Sequence, residues 1–110
     1  MEELIEMARG LGKKVAGHER TALLKKAQKK VNADPDAAKL IEEFQQQAQK
    51  IRTFEQEQKP IEVEDKHKLR DLEQKIIANE NLTELTRRQA DFVELMRKIK
   101  DAIDNELKID

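Results

Sequence analysis

The strongest constraint on this chain is the scarcity of residues that let a backbone turn. Its 110 residues include three Gly and two Pro, at positions 10, 12, 17, 35 and 60. Between those points apolar residues recur at spacings of three and four, the period of one helix face. Leu4, Met7, Ala8, Leu11 and Val15 predict a first helix over residues 2 to about 16, weakened by Gly10 and Gly12 and broken near Gly17. Leu24, Ala27 and Val31, with Leu23 beside them, predict a second from about 18 to 33. Asn32-Ala33-Asp34-Pro35-Asp36 then reads as a helix start. Asp34 can accept from a free N–H of the first turn, Pro35 has no N–H to leave unpaired, and Asp36 sits at the positive end of the helix dipole.

The third helix is predicted from 35 to about 58, with the stripe Ala37, Leu40, Ile41, Phe44, Ala48, Ile51 and Phe54. The six Gln between 45 and 58 are read as helix surface, because Gln forms helices well. Lys59-Pro60-Ile61-Glu62-Val63 is the main linker. Leu69, Leu72 and Ile76 mark a fourth helix over about 64 to 79, and Asn79-Glu80-Asn81 a short connection. The last helix, about 82 to 107, has the most regular stripe: Leu82, Leu85, Gln89, Phe92, Met96, Ile99, Ile103 and Glu106.

Composition agrees. Ala, Glu, Lys, Leu and Arg make up 59 of the 110 residues, a helical signature. Charged residues are 41% of the chain, yet 22 basic and 23 acidic side chains cancel to −1. That balance, with 27 Leu, Ile, Val and Phe, argues against disorder. The predicted fold is a single all-α domain over 1–110, a four- to five-helix bundle with a long C-terminal helix.

Several functions are excluded by residues that are missing. Without Cys there is no disulfide, no thiol nucleophile and no thiolate-held cluster; without Ser there is no Ser–His–Asp triad. No apolar run approaches the 18 residues of a membrane span, and the first residues are acidic where a secretory leader is basic, so the expected compartment is the cytoplasm. Glu64-x-x-His67, with Asp71 one turn on, has the spacing of a bundle metal site. Acids at a helix start and the neighbouring Lys66, Lys68 and Arg70 favour a solvated face instead. His18 is read as a helix-start residue. No catalytic, metal or cofactor residue is assigned.

Two surfaces remain. Residues 13–30 carry seven basic side chains against the single Glu19. Lys25, Lys26, Lys29 and Lys30 gather on adjoining faces of the second helix, where they can meet an anionic partner. No aromatic is interleaved for base stacking, and a solvated face is the simpler reading. The last helix, roughly 39 Å long at 1.5 Å per residue, offers Leu85, Phe92, Met96, Ile99 and Ile103 as an apolar seam too long for one small core. A second copy packed on it would form a homodimer.

The run Asp34-Pro35-Asp36-Ala37-x-x-Leu40-Ile41-x-x-Phe44-x-x-x-Ala48-x-x-Ile51 resembles the centre of the YlbF/YmcA family of small helical bacterial regulators. Leu69, Leu72, Ile76, Asn79, Leu82, Leu85, Gln89, Phe92, Leu95, Met96 and Ile99 continue the likeness over nearly the whole chain. The resemblance implies a cytoplasmic, commonly dimeric, all-helical protein without catalysis of its own. It implies a regulatory adaptor whose best-studied relatives act in a multi-protein complex that adjusts an endoribonuclease, and so influence competence, sporulation and biofilm formation. Some relatives hold Fe–S clusters through cysteines, which this chain lacks. Arg20 and Thr21 stand where the resemblance leads one to expect an aromatic. The expected partners are therefore a second copy and protein partners, with RNA-processing machinery among them. The alternative is an RNA-binding module using the basic face of residues 13–30.

Overall fold

A computed structural model describes residues 1–108; the last two residues of the 1–110 domain reading lie outside it. The described chain is all-α. Its five helices are α1 (Glu2–Ala16), α2 (Glu19–Asn32), α3 (Pro35–Gln56), α4 (Val63–Ala78) and α5 (Glu80–Leu107). They fall into two compact units, Met1–Gln28 with the chain from Leu85 onward, and Lys29–Glu84.

The unit Lys29–Glu84 is built on a helix hairpin of α3 and α4. Its ends are fixed by the start signal read from the sequence. Asp34 Oδ1 accepts from the Asp36 and Ala37 amides at 3.1 and 3.2 Å. Oδ2 of the same carboxylate accepts from Asn81 Nδ2 at 3.0 Å and Asn79 Nδ2 at 3.5 Å. One side chain thus caps α3 and ties it to the α4–α5 junction. The Asn81 bond first, and the Ala37 amide next, hold the Asp34 carboxyl below the ordinary carboxylate range. Asn79 is the only residue between α4 and α5, and its Oδ1 caps the latter by accepting from the Leu82 amide at 3.0 Å. Sequence reading placed three residues in that connection; this cap lets the helix begin at Glu80.

Alanine and leucine form the buried centre of this unit, with Ala37, Leu72 and Leu82 at 5% exposure or less. Gln47 joins them. Its amide donates to the Asp65 carbonyl at 2.9 Å and to Asp65 Oδ1 at 3.3 Å, which is why a polar side chain is tolerated there. Lys50 Nζ reaches the same Oδ1 at 3.0 Å while lying 5.7 Å from the centre of the Phe54 ring. That ammonium, then Gln47, holds the Asp65 carboxyl below its usual range.

Helix α3 ends two residues before the expected 58, and the reason is local. Gln58 takes a left-handed φ of 58°. Its amide bonds Glu55 O at 3.1 Å, and the Lys59 amide bonds Phe54 O at 2.8 Å. This is the two-bond closure that satisfies a helix's last carbonyls, here with Gln where Gly is usual.

The other unit draws on α1, α2 and α5. α2 is held at its start by Thr21, 7% exposed, whose Oγ1 donates to Val15 O at 2.6 Å. Ala27 is buried on the inner side. No residue of α1 is buried.

Candidate protein-interaction surfaces

Side chains on α5 are covered unequally along its length. Leu85, Phe92 and Ile99 are half-buried within the single chain. Met96 and Ile103 are open, at 43% and 52% exposure, as are Val93 at 63% and Leu107 at 58%. The spacing still places Leu85, Phe92, Met96, Ile99 and Ile103 along one side of the helix. α2 lies against this helix through Arg20, whose guanidinium donates to Asp91 O at 2.9 Å and lies 3.7 Å from Glu94 Oε1. Glu94 also pairs with Lys98 at 3.1 Å. The Lys98 bond, with the charges of Lys98 and Arg20, holds the Glu94 carboxyl below its ordinary range. Arg20 and Thr21, standing where an aromatic was expected, therefore fasten α2 by polar bonds instead of ring packing.

The four lysines of the sequence reading all stand on α2. Lys25, Lys26, Lys29 and Lys30 are all exposed, while Ala27 is buried and Leu24 and Val31 are half-buried behind them. No ion pair among the described residues uses any of the four. His18 is exposed; its Nδ1 accepts from the Arg20 amide at 3.0 Å, so it caps α2.

Glu64, His67 and Asp71 all lie on exposed positions of α4. Among the described residues no three His, Cys, Asp or Glu side chains gather into a metal-holding group. The surface hollows are shallow troughs. One of about 360 Å³ is lined by Asp36, Lys39, Leu40, Glu43 and Lys75. Another of about 510 Å³ includes Val31, Ala38, Ile41 and Gln45. In the first, Lys39 and Glu43 form an i,i+4 ion pair at 3.9 Å on an open surface. No described helix is long and apolar enough to cross a membrane.

Sequence reading missed the availability of α1. Met1, Leu4, Ile5, Met7 and Leu11 are between 40% and 95% exposed. Their spacing was legible, but nothing in a spacing says whether a stripe meets its own chain. With Val93, Met96, Ile103 and Leu107, these residues place nearly all the exposed large apolar side chains in one unit; Val63 and Ile77 are the two in the other.

The family profile described as "Control of competence regulator ComK, YlbF/YmcA" matches residues 4–108. Among solved structures, RicA of Bacillus subtilis, determined in complex with RicF, shares the fold at a TM-score of 0.86. The identity is 15%, with 96% of this chain and 93% of that one covered. No curated protein sequence gives a significant match.

Proposed function

The chain belongs to the YlbF/YmcA family, and we propose that it is a non-enzymatic regulatory adaptor acting through protein–protein contacts as one functional domain. The observation that carries this reading is the concentration of open apolar side chains on α1 and α5. Exposed apolar patches of this kind mark association surfaces. The family's description as a competence regulator supports a regulatory role. The capture of RicA with a protein partner supports contacts as the means. In this reading the chain works in the cytoplasm without a cofactor. It self-associates, with Leu85, Phe92, Met96, Ile99 and Ile103 as the α5 seam, and joins RNA-processing machinery that includes an endoribonuclease. Affinity capture of the tagged chain from its native cell, with and without nuclease, tests it. Protein partners should remain after nuclease. Loss of every partner on nuclease treatment refutes the adaptor.

A second reading rests on the four open lysines of α2. If they bind RNA directly, affinity falls steeply with salt as condensed counterions are released, and changing all four to Glu abolishes binding while helicity is kept. Absence of RNA binding at low salt removes this reading.

A further inference from the structure

Readily oxidised side chains are few in this protein and are gathered in one place. The chain has no Cys, Trp or Tyr, and its sulfur is confined to Met1, Met7 and Met96. All three belong to the unit of Met1–Gln28 and the chain from Leu85 onward, and none to Lys29–Glu84. Methionine is more often an interior residue, yet all three are exposed here, Met7 at 66%. The reason is local. Helical side chains lean toward the N-terminus, so a side chain is covered by the residues three and four places after it. For Met7 these are Leu11, itself exposed, and Gly10, which has no side chain. A Cβ added at Gly10 would meet nothing within 4 Å, so no other part of the chain fills that gap. For Met96 they are Ile99, half-buried, and Lys100, exposed. Met7 stands between Leu4 and Leu11 on the apolar side of α1, and Met96 between Phe92 and Ile103 on that of α5.

We propose that Met7 and Met96 are peroxide-sensitive modification sites, and that their oxidation to the sulfoxide turns off protein contacts made through α1 and α5. The thioether sulfur gives an electron pair to the O–O bond of hydrogen peroxide. One oxygen stays on sulfur as the sulfoxide and the other leaves as water. Two thiols return the sulfoxide to the thioether, yielding a disulfide and water, in the reaction of methionine sulfoxide reductases. The change converts a flexible apolar side chain into a polar one. In a core that would damage the fold. Neither sulfur is in a core here, so the helices keep their packing and the change falls on the surface alone. A partner that covers an S=O group without donating to it buries an unpaired polar atom, and affinity falls about tenfold for each sulfur covered. Once a partner is in place both sulfurs are shielded, so peroxide acts on the free chain and blocks assembly before it starts.

The inference rests on the adaptor reading, and it can fail while that reading stands. The tagged full chain is treated with hydrogen peroxide, freed of it with catalase, and mapped by peptide mass spectrometry. It is then used for nuclease-resistant capture from a desalted native-cell lysate, which lacks the thiol donor that reductases need. Wild type should gain one oxygen at each of Met7 and Met96, keep its helicity by circular dichroism, and recover at least tenfold less protein partner than the untreated chain. Methionine sulfoxide reductases with a thiol donor should restore the capture. In the double variant Met7→Leu/Met96→Leu, where Met1 is the methionine left, peroxide should not change capture from whatever level the variant starts at. Full oxidation of both sulfurs with unchanged capture overturns the proposal and leaves the adaptor standing. So does a loss that the reductases do not reverse, or an equal loss in the double variant. Absence of any partner on the untreated chain overturns both.

Discussion

Replacing Gln58 by Gly should make this protein more stable, although it removes a side chain. Gln58 closes α3 with φ at 58°, a conformation in which the Cβ of an L-residue crowds the carbonyl that follows it. Holding a non-glycine residue there costs about 1–2 kcal/mol. Glycine escapes that cost but gives up more freedom on folding, about 0.5–1 kcal/mol relative to Ala. The difference is a gain of about 0.5–1 kcal/mol, or roughly 2–4 °C in Tm for a chain of this size. Nothing opposes the gain. The side chain is exposed, and both closing bonds, Gln58 N to Glu55 O and Lys59 N to Phe54 O, use the backbone. The assay is thermal unfolding followed at 222 nm at one fixed protein concentration, since association would shift the midpoint. Gln58→Val is the control: a β-branched residue tolerates positive φ least and should lower Tm. If Gly lowers Tm, or Val leaves it unchanged, the closing turn is not formed as described and α3 ends in some other way.

Leu72→Ala, at a position 4% exposed, should cost about 2–5 kcal/mol, measured by urea unfolding with an unchanged m-value. Gly10→Ala should stabilise by about 1 kcal/mol, because the added methyl meets open space and a helical glycine is disfavoured; a loss of stability would show that α1 is not helical there. The Asp34, Asp65 and Glu94 carboxyls are all held below their ordinary range when folded, so the unfolded chain binds protons more readily than the folded one. Their contribution is complete above the ordinary carboxylate pKa and fades as pH falls through the lowered folded values. Asp34→Asn keeps a capping side chain but removes one such proton, so acid titration of stability below about pH 4 should be shallower in that variant.

The helices were legible because their signals are local. Asp34-Pro35-Asp36 announces the start of α3 with residues that need only each other, and the structure shows both amide bonds. The stripe of α4 named Leu69, Leu72 and Ile76, and these are buried or half-buried. Non-local pairings left no such mark. Gln47 lies among six Gln between 45 and 58, and only the fold reveals that this one is 4% exposed and bonded to Asp65. The second task of Asp34, accepting from Asn81, spans 47 positions. Spacing grouped the lysines on α2 and aligned one side of α5. It was silent on α1, because burial depends on what the rest of the chain reaches.

Between α4 and α5 stands Asn79 alone, and this has a mechanical consequence. A joint of one residue stores no slack. Adding a residue there would advance everything after it by about 100° of helical rotation and 1.5 Å of rise. Asn81 would swing off Asp34, and Leu82, 5% exposed, would turn toward solvent. The segment 57–62 is the opposite case: after the closing turn at Gln58 its residues are mostly exposed and carry no helical phase. An inserted tag or a spontaneous duplication should therefore be absorbed at 59–62 and rejected at 79. This chain can be lengthened at the α3–α4 joint and not at the α4–α5 joint.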